Sequence, residues 1–201
     1  RYALMIVGLT GRSCSGKDRV ASLLDDRFTV IDEDGLGHVA LDANRDRIVE
    51  AFGEDILTEG KVDRRKLGPK VFSFPEALKT LESISHPWMV EETLRECREA
   101  EKEGKIPVIN AAILEKMGFV EYCDEVVLVI SPYEEREKRA LKRDGITKEA
   151  FRKRSESQKD IGSTLFSSKR KIVTIINDSD EESLSRQVKA YCGTISNKRS
   201  L

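Results

Sequence analysis

The stretch Gly11-Arg12-Ser13-Cys14-Ser15-Gly16-Lys17-Asp18 decides the fold. Two glycines at this spacing, followed by lysine, let the backbone bend so that successive N–H groups converge on phosphate oxygens. The apolar run Leu4–Thr10 leads into the stretch, and a segment with Val20, Leu23 and Leu24 on one face leads out of it. The loop therefore joins a strand to a helix, and the positive end of that helix adds to the attraction for an anion. Lys17 supplies a compact cation for the β and γ phosphates of a nucleotide triphosphate. Gly11, Ser13, Cys14, Ser15, Gly16, Lys17, Asp18 and Arg19 are the expected ATP contacts, the last two opening the helix. The pattern ordinarily closes on Ser or Thr, whose hydroxyl binds Mg²⁺; here it closes on Asp18. A carboxylate is a hard oxygen ligand for Mg²⁺, and it also favours a helix N-terminus, so the residue type alone leaves both roles open.

Outward from the loop, short apolar runs alternate with amphipathic segments. The runs are Ala3–Leu9, Phe28–Ile31, Ile106–Ile109, Val126–Ile130 and Ile172–Ile176. Each is nearly continuous in apolar residues, as a strand covered on both faces should be. Helical patterns follow over Lys17–Asp26, Glu134–Arg143 and Ser179–Tyr191. The alternation predicts an α/β fold with a five-stranded parallel sheet and right-handed crossovers. Asp34–Gly104 shows no convincing strand and reads as three or four helices, including Ala43–Phe52, Glu76–Ile84 and a long one after Pro87. Gly145–Ser168 is polar and basic and reads as a mobile lid. The expected division is a core at about 1–33, 105–143 and 171–192, a helical substrate lobe at about 34–104 and a lid at about 144–170, all in one domain.

The second apolar run ends in Ile31-Asp32-Glu33-Asp34. Acidic residues at the carboxyl end of a parallel strand sit where ligands bind in open α/β sheets. One carboxylate there can accept a proton from an attacking hydroxyl while another orients Mg²⁺ waters or the ribose, and Asp34 can equally cap the helix it precedes. Composition narrows the partners. The 201 residues carry a net charge of −1, which gives no global field for nucleic acid or an anionic membrane. Against that balance, residues 134–171 hold thirteen basic and seven acidic residues, an excess that suits an anion-facing surface. Cys14, Cys97, Cys123 and Cys192 are scattered, and His38 and His86 are the two histidines, so free thiols in a reducing, cytoplasmic setting are expected rather than a metal cluster. No run is long enough to span a membrane, and the first apolar run leads straight into the glycine loop rather than to a signal-peptide cleavage site. The terminal Arg199-Ser200-Leu201 is not the S-K-L address.

The ordered set resembles the dephospho-coenzyme A kinase family from the first strand to about residue 190. The resemblance rests on Gly8-Leu9-Thr10-Gly11 with Ser15-Gly16-Lys17, Val30-Ile31-Asp32-Glu33-Asp34, and Gly60-Lys61-Val62-Asp63-Arg64 with Leu67 and Val71-Phe72. It continues through Leu81-Glu82, His86-Pro87, Ile113-Leu114-Glu115, Ser131-Pro132, Arg139 with Arg143, Arg154 with Gln158, and Ile175-Ile176-Asn177. It implies a three-layer P-loop kinase fold, like that of nucleoside monophosphate kinases, with ATP and Mg²⁺ as cofactors. It also implies transfer of the γ-phosphate to the ribose 3′-hydroxyl of dephospho-coenzyme A. By position it implies Asp34, Lys17 and Arg139 as catalytic residues, Arg143 and Asn177 as further ATP contacts, Asp18 as metal ligand, and Asp32, Arg64 and His86 with Asp34 on the acceptor. Arg12 and Cys14 replace smaller residues usual in the loop, Ala111 stands where a proline is general, and His38 where an Arg is common. A kinase of another small hydroxyl compound, and a nucleotide-binding regulator without catalysis, are the rival readings; Asp18 is the feature that favours the regulator.

Overall fold

The computed structural model describes residues 5–195. The start of the first apolar run and the terminal Arg199-Ser200-Leu201 lie outside them. The sheet is five-stranded and parallel, in the order β2-β5-β1-β6-β7. Its strands are β1 (Val7–Gly11), β2 (Phe28–Asp32), β5 (Ile106–Asn110), β6 (Glu125–Ile130) and β7 (Lys171–Ile176). The central strand β1 is buried throughout and pairs in parallel with β5 and β6, and β6 pairs in parallel with β7. The five strands are those that the apolar runs predict: β2, β5, β6 and β7 each differ by one residue at one end, while β1 is Val7–Gly11 against the expected Ala3–Leu9.

By internal packing the chain forms two compact units, residues 5–31 with 96–195 and residues 32–95. In the first, helices α1 (Lys17–Leu23) and α8 (Glu181–Thr194) cover one face of the sheet. Val20, Leu184, Val188 and Tyr191 bury there against Val7, Leu9, Val127 and Val129, alternate residues of β1 and β6, as the two-residue period of a strand requires. Residue Leu24 is extended, so α1 ends three residues short of the Asp26 that its pattern suggests. Helix α6 (Tyr133–Asp144) follows β6, and α7 (Lys148–Ser157) packs Phe151 against Tyr133 with ring centroids 5.3 Å apart. The polar segment 145–168 thus contains a capped helix: Thr147 accepts from the Ala150 N–H.

The second unit holds α2 (Glu33–Ala43), α3 (Arg45–Phe52), α4 (Arg64–Val71) and most of α5 (Pro75–Lys102), around Ile48, Ile56, Val62, Leu67, Val71 and Ile84. Two features depart from expectation. Pro87 does not separate two helices: α5 runs through it as one helix of 28 residues. A proline removes one backbone donor and crowds one carbonyl, but Ile84 and Met89 on either side are buried, and that burial holds the flanking turns together. The region also contains a small antiparallel hairpin, β3 (Leu57–Thr58) with β4 (Lys61–Val62). Its turn, Glu59-Gly60, has positive φ at both residues, as a two-residue hairpin demands. Two-residue strands are too short to leave a periodic signal. Among the described residues no helix is long and apolar enough to cross a membrane.

Candidate functional site

Between β1 and α1 the glycines are fixed by space as well as by backbone angle. A Cβ on Gly11 would lie 2.6 Å from Ser15 Oγ and 2.7 Å from the Val129 carbonyl oxygen. Gly16 has φ +97°, and a Cβ there would meet Asn177 Nδ2 at 2.2 Å. The loop folds on a bond from the Ser15 N–H to the Arg12 carbonyl, 3.0 Å, and Cys14 takes the left-handed region at φ 60° without being glycine. Such backbone strain in a non-glycine residue is held only where surrounding contacts determine it. Here Arg139 Nη1 donates to the Cys14 carbonyl at 3.0 Å, and Asn177 Nδ2 donates to the Ser15 carbonyl at 2.8 Å.

Lys17 is 8% exposed. Its Nζ donates to Asp18 Oδ1 at 2.8 Å and to Asn110 Oδ1, at the end of β5, at 2.9 Å. Asn110 Nδ2 closes the triangle on Asp18 Oδ1 at 3.1 Å. Burial pushes the Asp18 carboxyl up, but hydrogen bonds from Lys17 and Asn110 and the charges of Lys17 and Arg143 outweigh it and hold it below its ordinary value. Asp18 is therefore an anion whose side chain is 72% exposed. An ammonium has three donors; with two engaged, Lys17 keeps one for an incoming phosphate.

Helix α6 aims three arginines at this loop from one face. Arg136 Nε donates to the Ser131 carbonyl at 3.1 Å, and its Nη1 reaches the Ser13 carbonyl at 3.5 Å. Arg139 joins Cys14 to Ser131 Oγ at 2.8 Å and to the Asn177 carbonyl at 3.3 Å. Arg143 reaches Cys14 Sγ at 3.5 Å and pairs with Asp144, which Arg154 also holds at 2.7 Å. Those two guanidiniums keep the Asp144 carboxyl down at about 2. After α7, Gln158 Oε1 accepts from the Ser13 N–H at 2.7 Å. Arg19 turns instead to α8, where Glu181 holds it.

The remaining expected residues lie in the second unit. Asp32, rather than Asp34, caps α2: its carboxylate accepts from the N–H groups of Asp34 and Gly35, both at 3.2 Å. Asp34 stands exposed in the first turn, its carboxylate not used in the cap. Glu33 between them is buried and accepts from Thr93 Oγ1 at 2.6 Å. Asp63 caps α4, accepting from the Arg65 N–H and from Thr58 Oγ1, both at 2.8 Å, rather than forming a surface pair with Arg64. Hydrogen bonds, first from Thr58 and then from Arg65, lower its carboxyl. Arg64 is exposed at the start of α4, and His86 is half-buried within α5.

Thus Gly11, Ser13, Cys14, Ser15, Gly16, Lys17, Asp18, Arg139, Arg143 and Asn177 come together around one loop. Sequence reasoning passed over Asn110 and Arg136. Asn110 had a signal, a polar residue closing an otherwise apolar parallel strand. Arg136 had another, standing three and seven residues before Arg139 and Arg143 and so on their helix face.

The family model described as dephospho-CoA kinase matches residues 5–182. A dephospho-CoA kinase of Fusobacterium nucleatum is 33% identical over 197 residues, covering 96% of this chain and 100% of that one. A solved structure from Thermus thermophilus superposes with a TM-score of 0.79 at 29% identity, covering 96% of this chain and 98% of that one. The dephospho-CoA kinase of Campylobacter jejuni superposes with a TM-score of 0.71 at 25% identity and the same coverage. With the glycine loop, its lysine and the parallel sheet behind them in place, the chain belongs to the dephospho-CoA kinase family: it uses ATP and Mg²⁺ to phosphorylate dephospho-coenzyme A, the last step of coenzyme A biosynthesis.

Proposed function

We propose that Lys17 and the amides of residues 11–17 hold the ATP phosphates, that Arg139 faces the transferring phosphoryl group, and that Asp34 takes the proton of the acceptor hydroxyl. Arg143 and Asn177 complete the ATP side, while Asp32, Arg64 and His86 serve the acceptor. The oxygen of the ribose 3′-hydroxyl forms a bond to the γ-phosphorus as the bond to the β–γ bridging oxygen breaks. The hydroxyl proton passes to the Asp34 carboxylate, and ADP leaves with the bridging oxygen. The single observation that supports this reading best is the loop itself, where Gly11 and Gly16 leave no room for a Cβ and Lys17 keeps one donor uncommitted.

Magnesium fits these residues. Among the described residues no cluster of three or more His, Cys, Asp or Glu could hold a metal alone, and Asp18 offers one ionised, exposed carboxylate beside the loop. One carboxylate supplemented by phosphate oxygens and waters is the usual Mg²⁺ environment. The ion supplies charge that offsets what builds up on the phosphates. The near-neutral net charge and free cysteines support small molecules as the partners, without nucleic acid or membrane, in a reducing, cytoplasmic setting. We read residues 34–104 as the acceptor lobe and 144–170 as the lid.

The test follows ADP release with and without dephospho-coenzyme A in two variants. Lys17→Ala weakens both ATP KM and kcat, because the cation touches phosphate in ground and transition states. Asp34→Asn lowers kcat by roughly ten- to ten-thousand-fold and leaves ATP affinity nearly unchanged. Near-normal turnover in the Asn variant removes Asp34 from the chemistry.

A further inference from the structure

On the β6 side of the loop lies a cavity of about 350 Å³, lined among others by Arg12, Ser15, Leu128, Arg136, Lys159 and Ile161. It is separate from the Lys17 cluster: Lys17 bonds Asn110 of β5, and β1 stands between β5 and β6 in the sheet. Its polar groups are donors in excess. Arg136 is 4% exposed, and it meets the Ser131 and Ser13 carbonyls, Ser155 Oγ and the rings of Tyr133 and Phe151. Arg12 donates to the Lys159 carbonyl at 2.5 Å. Neither guanidinium forms an ion pair with a carboxylate among the described residues, whereas the Lys159 ammonium is met by Glu156 at 2.9 Å. Burial first, and then the like charge of Arg12, push Arg136 down, partly offset by Cys14, Tyr133 and Glu134. Ser15 is 1% exposed and its Oγ has no hydrogen-bond partner. Ser131 Oγ, on the same wall, accepts from Arg139 and keeps its own proton to donate.

From this we infer a second anion site behind the loop, in which Arg12, Arg136 and the Ser15 hydroxyl bind a phosphate or diphosphate group, with Leu128 and Ile161 against any organic part. Buried charges are ordinarily paired, and a buried hydroxyl ordinarily finds a partner; one phosphate satisfies both guanidiniums and the orphaned hydroxyl together. The site extends beyond the ATP cradle. Its phosphate comes either from the diphosphate of dephospho-coenzyme A or from a free phosphate compound.

The experiment loads the full chain with Mg²⁺ and a non-hydrolysable ATP analogue, so that the loop is filled, and titrates pyrophosphate by calorimetry at constant free Mg²⁺. One saturable event is expected. Arg12→Gln and Arg136→Gln each weaken it by about tenfold or more, as loss of a charge-assisted bond does. Dephospho-coenzyme A is then added. If it displaces pyrophosphate, and Arg12→Gln raises its KM more than that of ATP, the site holds the substrate's diphosphate. If both bind together, the site takes free phosphate; either result supports it. Absence of saturable binding at concentrations on the order of 10 mM, or equal binding by wild type and both variants, overturns it. Because the loop is already filled, that failure is distinct from a failure of Lys17 to bind ATP.

Discussion

Asp18 is engaged by Lys17 and Asn110, yet most of its side chain faces solvent. Two roles therefore compete for one carboxylate. As a metal ligand it holds the ion near the phosphates; as a first-turn acid it stabilises α1 by about 0.3–1 kcal/mol. In the first case Asp18→Ala raises the Mg²⁺ concentration for half-maximal activity several-fold, and Asp18→Thr, which restores a hydroxyl, remains active with altered metal dependence. In the second case the alanine variant loses a little thermal stability and its Mg²⁺ titration is unchanged. We expect the shift; identical midpoints for wild type and Asp18→Ala would remove Asp18 from the metal. What the sequence conveys at this scale follows the range of the forces. Gly11, Gly16 and Lys17 are legible because their chemistry is carried by spacing within eight residues. Asn110 and Arg136 act on Lys17 and Ser13 from 93 and 123 residues away, and only the sheet order brings them there.

At the scale of elements, the turn after α7 is held by a residue of the segment after β5. Glu115 Oε2 accepts from the Gly162 N–H at 2.5 Å, and Oε1 accepts from the Thr164 N–H at 2.9 Å and from the Thr164 hydroxyl. These bonds pin the turn that follows Gln158 and Lys159, the residues touching Ser13 and Arg12. Glu115→Ala frees two amides, so their hydrogen exchange quickens by about tenfold or more, one lost charge-assisted bond being worth roughly 1.5–3 kcal/mol. The value of kcat/KM falls with the loosened turn, and Glu115→Gln, which keeps one acceptor oxygen, lies between. Unchanged exchange at Gly162 and Thr164 in the alanine variant would show that the clamp does not restrain this turn. The strands were readable because burial on both faces leaves continuous apolar runs. The continuity of α5 through Pro87 was not, because it depends on Ile84 and Met89 being buried, and a one-dimensional pattern reads the proline first.

For the molecule as a whole, the end of α8 is tied back to the turn between α1 and β2. Arg27 donates to the Cys192 and Ile195 carbonyls at 2.7 and 2.8 Å, completing acceptors that a helix end leaves unsatisfied. Asp25 holds that guanidinium through Nε at 3.0 Å and Nη2 at 2.7 Å and accepts the Arg27 N–H as well. The Arg27 hydrogen bond is the main cause that keeps the Asp25 carboxyl down at about 2. A depressed folded pKa means that the unfolded chain takes up the proton first. The stability contributed by Asp25 is thus fully present above about pH 4, the ordinary aspartate value, and is lost as pH falls toward about 2. The other limb has the opposite sign. Burial raises the Cys123 thiol to about 12, so the folded state keeps a proton that the unfolded chain releases near pH 9, and stability declines from there toward pH 12. Denaturant midpoints across pH should form a plateau between these limits. Asp25→Asn lowers the plateau by about 1 kcal/mol, a modest amount because both ions keep solvent contact, and its deficit should vanish as pH approaches 2. Since Asp25 and Arg27 lie away from the glycine loop in the bonds they make, kcat at neutral pH serves as the control. A deficit that stays constant from pH 7 to pH 2 would show that the ion pair does not tie α8 to the core.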